Sequence, residues 1–125
     1  MNIEKTFALA LKNHQENNFD IATSLYNEVL KLEPKHDGAH INLGAIFMQM
    51  GENEKAISCF EKAIKITPNI MMAHNNLGVL FMKMNENEKA ISCFEKMISH
   101  DPNSFNGYAN LSIMYTGQLN LQKSL

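Results

Sequence analysis

The sequence predicts an all-α fold, a solenoid of antiparallel helix pairs, on three observations. Residues 37–70 and 71–104 align in register with roughly two-thirds of positions identical, and the run AISCFEK stands at both Ala56–Lys62 and Ala90–Lys96. Pro34, Pro68 and Pro102 punctuate the chain at a fixed interval of 34 residues. Between the prolines, apolar residues recur at helical spacing. A period of that length marks stacked supersecondary units, none of which can bury its own apolar face alone.

The first unit, residues 3–36, is the most diverged but keeps the frame. Leu9, Ala10, Asn17, Ala22, Tyr26, Val29 and Pro34 align with Leu43, Gly44, Gly51, Ala56, Phe60, Ala63 and Pro68. Its opening stretch, MNIEKTFALALKNHQ, has a brief apolar run broken by Lys12 and no preceding basic region, so it reads as a helix and not as a signal peptide. In the second unit, residues 37–70, Ile41, Leu43, Gly44, Phe47 and Met50 define the first helix. Gly51 supplies the left-handed residue that ends it. Glu52 and Glu54 then open the next helix, where the dipole favours anions. Ala56, Ile57, Phe60, Ala63, Ile64 and Ile66 form that helix's apolar face, and Pro68 terminates it.

The third unit, residues 71–104, repeats the scheme with Asn85 in the turn, the common substitute for glycine in that backbone region. A partial fourth, residues 105–125, places Tyr108, Leu111, Ser112 and Tyr115 in the expected slots and should stop early in its second helix. Leu119, Leu121 and Leu125 would then lie at an end with little helix left to cover them. A terminal repeat without a polar cap exposes the face meant for its neighbour. The chain is accordingly expected to be the N-terminal part of a longer repeat protein, or to close this end by self-association or with a partner.

Composition narrows the function classes. At 125 residues the chain is long enough for one compact domain, 1–125. All eleven basic residues are Lys, with no Arg, and the formal charge is −2. Nucleic-acid binding is not expected, because it draws on basic patches and on arginine's bidentate contacts. No apolar run approaches the ~20 residues that cross a bilayer, so no membrane contact and a cytoplasmic location are expected. Cys59 and Cys93 occupy equivalent places in adjacent repeats, about a helix diameter (~10 Å) apart. A disulfide needs Cα atoms within ~7 Å, so both thiols should be reduced.

Catalytic patterns are absent: there is no G-x-S-x-G, H-E-x-x-H, phosphate-cradling glycine loop or C-x-x-C. The chain is therefore not expected to be an enzyme or to need a cofactor. His36 and His40 have i, i+4 spacing but straddle a predicted repeat boundary, so one helical face should not hold both as metal ligands. His40 and His74 recur as packing residues of the repeat. In ENEKAISCFEK the charges form a solvated helix face, with i, i+4 support such as Glu61 with Lys65.

Small residues at Ala10, Gly44, Gly78 and Ser112 would permit close approach within a helix pair, and Phe47, Phe81 and Tyr115 would fill the space between pairs. Together with Ala22, Ala56 and Ala90, a following aromatic and a terminating proline, this pattern resembles the tetratricopeptide repeat (TPR) over nearly the whole chain. The regular departure is early in each first helix, where the family often has Trp and this chain has Thr6, His40, His74 and Tyr108. The resemblance implies a right-handed α-solenoid of about three and a half repeats.

In that family the first helix of each pair lines a concave face. The resemblance thus places Asn42, Asn76 and Asn110 on that face as candidate peptide-binding residues. Their spacing is similar to the asparagine ladder of O-linked N-acetylglucosamine transferases, which holds substrate polypeptide. A primary amide offers both a donor and an acceptor and can pair with a peptide backbone whatever its side chains. Around the ladder the same face should present Ile41, Met48, Asn75, Val79, Met82, Lys83 and Ile113, with Phe7, Leu11, Ala45, Met72 and Ala109. That is an apolar groove with adaptable methionines. The chaperone-type clamp for a C-terminal carboxylate is not matched. At its five positions this chain has Phe7, Leu11, Asn42, Met72 and Asn76, and only Asn42 agrees. The expected function is a non-catalytic module binding a protein or peptide. The alternatives are the substrate-recognition arm of a glycosyltransferase- or sulfotransferase-type enzyme, or a self-associating scaffold.

Overall fold

The computed structural model describes the backbone of residues 2–123 and the side chains of residues 2–117. The apolar end expected from Leu119, Leu121 and Leu125 therefore lies outside the described side chains. The described elements are all helices: α1 (Ile3–Gln15), α2 (Phe19–Leu32), α3 (Asp37–Gln49), α4 (Asn53–Ile66), α5 (Met71–Lys83), α6 (Asn87–His100) and α7 (Phe105–Lys123). The chain divides into two compact units, one up to Pro68 and one from Asn69 onward.

Turn chemistry sets the helix ends. Asn17, Gly51 and Asn85 have φ of 63°, 76° and 61°. Each sits in a Schellman arrangement. Gly51 N–H donates to the Met48 carbonyl at 3.2 Å and Glu52 N–H to the Phe47 carbonyl at 2.8 Å. Around Asn85 the matching bonds run to Met82 and Phe81, and around Asn17 to His14 and Asn13. The other ends precede prolines. Glu33, Thr67 and Asp101 cap α2, α4 and α6 with φ of −137°, −130° and −139°, the extended conformation that a following proline ring forces.

Start signals differ from helix to helix. The Asn2 side chain accepts from Lys5 N–H, and His36 Nδ1 accepts from Ala39 N–H at 3.0 Å. Ser104 Oγ accepts from Gly107 N–H at 3.1 Å, capping α7. His40 Nε2 lies 2.9 Å from the Pro34 carbonyl. These two histidines thus serve the turn before α3, and among the described residues no group of three or more His, Cys, Asp or Glu converges as a metal site.

α7 departs from the expected second turn. It runs unbroken through position 119, which holds leucine where the repeat has Gly51 and Asn85. The left-handed conformation costs a residue with a Cβ about 1–2 kcal/mol, and continuing the helix avoids that cost. The predicted ion pair Glu61–Lys65 does not form; Lys55 pairs with Glu52 at 3.6 Å and Lys89 with Glu86 at 3.2 Å. Both lysines also lie 5.5 Å from the ring centroids of Phe47 and Phe81, a second attraction that Lys65 lacks.

In the first unit, Ala10, Ala22, Tyr26, Val29, Ala39, Leu43, Ile46 and Cys59 form a buried cluster. In the second, Ala90, Phe94, Met97 and Met114 do so, flanked by Met71, Val79, Phe81, Met82, Ile91 and Leu111. The close approach within pairs is steric. A Cβ added to Gly44 would come within 2.6 Å of the Phe60 ring, and one on Gly78 within 2.5 Å of the Phe94 ring. Cys59 and Cys93 are free, buried thiols whose pKa burial pushes up, opposed in part by Lys62 and Lys96. Among the described residues no helix is long and apolar enough to cross a membrane.

Candidate peptide-binding site

The three equivalent asparagines have three different surroundings. In the first unit, half-buried Asn42 on α3 bonds through its side chain to the Tyr26 hydroxyl. His14 Nδ1 lies 3.2 Å from that hydroxyl, and the Phe7 ring stacks at 5.8 Å from Tyr26 and 4.6 Å from His36. The amide at position 42 therefore satisfies a buried phenol. Met48 on α3 is half-buried. Ile41 corrects the sequence expectation. It is 4% exposed and offers a partner no surface, because a branched aliphatic side chain gains by leaving water.

Burial pushes the Tyr26 pKa up from 10.0 to about 12, with the Asn42 bond opposing, and burial lowers that of His14 from 6.5. Both shifts favour the neutral forms. The raised tyrosine contributes stability that is intact below pH 10 and lost as pH rises toward 12. The depressed histidine contributes stability that is intact above pH 6.5 and lost as pH falls through its lowered value. Urea midpoints measured across pH should decline below 6.5 and above 9, where the buried thiols of Cys59 and Cys93 begin to lose stability, and Tyr26→Phe should lessen the further decline above pH 10. A midpoint that stays flat through the alkaline limb would contradict this account of Tyr26.

In the second unit, Asn110 Nδ2 on α7 donates to Asn75 Oδ1 on α5 at 2.8 Å, joining the two helices. Asn76, half-buried on α5, makes no hydrogen bond through its side chain among the described residues. Val79 and Met82 pack against the buried cluster, whereas Lys83 is exposed and Ile113 is 59% exposed. The structure thus brings Asn75, Asn76, Val79, Met82, Asn110 and Ile113 onto α5 and α7 of one unit.

Beside them lies an open cleft of about 470 Å³ at the N-terminal ends of α5 and α7, lined by Met71, Met72, Asn75, Met97, Asp101, Asn103, Ser104, Phe105 and Asn106. Met72 is 60% and Phe105 81% exposed. The first unit has a cleft of about 560 Å³ at the same register, two repeat lengths earlier, lined by Ile3, Glu4, Phe7, Glu33, Lys35, His36 and Asp37. Its lining is charged, whereas the second cleft combines apolar side chains and amides with one carboxylate. Phe105, Asn103 and Asn106 were not among the sequence-predicted site residues. The available signal was Phe105 itself, an aromatic standing where the preceding repeats have Asp37 and Met71.

Residues 44–85 match the family model described as TPR repeat, and residues 72–104 match that described as tetratricopeptide repeat. No curated protein matches the chain. Among solved structures, the first TPR of Spaghetti (RPAP3) bound to the HSP90 peptide SRMEEVD is similar, with a TM-score of 0.85, 15% identity and coverage of 94% of this chain and 93% of that one. A crystal structure of MamA has a TM-score of 0.85 and 25% identity, covering 94% of this chain and 68% of that one. The Sgt2 TPR domain from Aspergillus fumigatus has a TM-score of 0.85 at 21% identity, covering 97% and 82%. The fold class is accordingly the all-α helical-repeat solenoid, and the two family matches support placing the chain with the tetratricopeptide repeats.

Proposed function

We propose that the chain is a non-catalytic protein-interaction module that holds an extended, largely uncharged polypeptide segment on the α5/α7 side of its second unit. The observation that carries this reading is the half-buried Asn76 amide, which makes no side-chain hydrogen bond among the described residues and stands next in sequence to the Asn75–Asn110 pair. An amide so placed can serve a peptide N–H and C=O together, in the manner of an asparagine ladder. The adjoining cleft, with exposed Met72 and Phe105, would take an apolar side chain of the same segment. The Spaghetti domain holds an HSP90 peptide, which supports a peptide as the class of partner. The clamp positions carry Phe7, Leu11, Met72 and Asn76 without a lysine, which favours an apolar segment over an acidic tail.

Peptides selected on this chain from a random display library provide the test. Asn76→Ala should weaken a selected peptide by about 1–2 kcal/mol, roughly five- to thirtyfold. Its melting curve should overlay that of the parent chain, since the amide has no partner to lose among the described residues. Equal affinity in the variant, or a library that yields no binder, would defeat the proposal.

A further inference from the structure

At one pair of positions in the repeat frame, two apolar residues are replaced together by polar ones. Met48 and Met82 align on the first helices of the second and third repeats, and Phe60 and Phe94 on the second helices; the first repeat has His14 and Tyr26 at these places. Tyr26, like Phe60 and Phe94, is 0% exposed, so the first repeat buries a hydroxyl where the others bury hydrocarbon. A buried hydroxyl costs stability unless it is hydrogen-bonded. Two side chains meet that need. His14 Nδ1 lies 3.2 Å from the Tyr26 oxygen, and Asn42 bonds it from α3. A polar chain His14–Tyr26–Asn42 thus crosses α1, α2 and α3 within one unit.

These bonds have a definite direction. A phenolate has no proton to give, so the Asn42 bond, which opposes the rise in the Tyr26 pKa, is one that the amide Nδ2 donates to the phenol oxygen. The Tyr26 proton is then directed to His14 Nδ1, which can accept it only while that nitrogen is unprotonated. Asn42 Oδ1 is left on the side of the amide turned away from Tyr26. A protonated imidazole donates from both nitrogens. With a proton on Nδ1, His14 can no longer receive the hydroxyl, and the Tyr26 O–H needs another acceptor. Asn42 Oδ1 supplies one when the amide turns over about its soft terminal torsion, and Nδ2 then takes the outer place.

We propose that His14, Tyr26 and Asn42 form a proton-operated relay: a proton on His14 Nδ1 reverses both hydrogen bonds, and the half-buried Asn42 amide changes from an acceptor to a donor on the side turned away from Tyr26. The surroundings leave His14 as the group that operates it. From α2 it meets the rings of Phe19 at 5.9 Å and Tyr26 at 6.0 Å. The charged residues near it, Lys12 and Glu16 in sequence and Asp20 on α2, are exposed, and the ion pairs among the described residues, Lys55–Glu52 and Lys89–Glu86, lie elsewhere. Glu28 stands two residues from Tyr26, a spacing that points away from it on a helix. α3 carries no charged residue from Ile41 to Met50. Cys59 of α4, in the same buried cluster as Tyr26, keeps its proton in acid because burial raises its pKa. The remaining titratable group is His36, separated from Tyr26 by the Phe7 ring. The relay lies within the first unit and is independent of the peptide site on α5 and α7.

Nuclear magnetic resonance of the isotope-labelled full chain, titrated downward from above pH 6.5, tests the relay. His14 Nδ1 should resonate as unprotonated in the neutral ring, and the Asn42 side-chain amide should change shift with the His14 midpoint. Tyr26→Phe, which restores the residue of the other repeats, should leave His14 titrating while the Asn42 amide stays unmoved. His14→Met, the second such restoration, should make the Asn42 amide insensitive to pH across the same range. An Nδ1 that already carries the proton in the neutral ring would overturn the proposal, as would an Asn42 amide that ignores the His14 midpoint. So would an amide that still follows pH in His14→Met, which would assign the response to His36. Loss of the dispersed spectrum at the His14 midpoint would overturn it too, by showing that protonation unfolds the unit in place of reversing the bonds.

Discussion

Phe94→Ala is expected to destabilise the second unit by about 3–5 kcal/mol, the range for removing a fully buried aromatic side chain. The ring is 0% exposed and forms one cluster with Ala90, Met97 and Met114. Its seat on α5 is the backbone at Gly78, which has no side chain that could swing into the space left behind. The cavity should therefore persist, and the cost should fall toward the upper end of the range. Because whole domains are stable by only about 5–15 kcal/mol, the variant should be largely unfolded in moderate urea. Far-ultraviolet circular dichroism against urea measures this directly. A loss below about 1 kcal/mol would mean that the ring is not the anchor of the α5–α6 pair.

Features governed by neighbouring residues in the chain were legible in the sequence. Gly51 and Asn85 could be read as helix ends because the left-handed conformation is a property of one residue and its immediate backbone. Each proline likewise acts on the residue before it. The candidate site was less legible, because its side chains answer to partners that periodicity does not specify. Asn42, Asn76 and Asn110 are identical in the repeat frame, yet among the described residues one bonds Tyr26, one bonds nothing and one bonds Asn75. The first difference traces to one atom: Tyr26 aligns with Phe60 and Phe94 but alone carries a hydroxyl to be satisfied. Ser112 was read as an interior position because the frame assumes a covering helix, and α7 continues straight where that helix would begin. Phe105 was overlooked for a similar reason, since its cleft is assembled from α5, the end of α6 and the start of α7.

Gly78→Leu should destabilise the second unit by about 1–3 kcal/mol through overpacking, although leucine is the better helix former. Two effects of opposite sign compete at this position. In a helix interior, replacing glycine gains about 0.8–1 kcal/mol from backbone propensity. Against that, even the first added carbon would lie 2.5 Å from Phe94 Cε1, and the ring has no free space to retreat into because it is fully buried. The steric term should therefore win, and it should win only while the ring is present. In a Phe94→Ala background the same Gly78→Leu change ought to become neutral or stabilising, since the new side chain can occupy the vacated volume while its propensity gain remains. A double-mutant cycle by urea denaturation should thus show an interaction energy of about 1–3 kcal/mol, favouring the double variant over the sum of the singles. Additive effects would show that Gly78 and Phe94 do not meet.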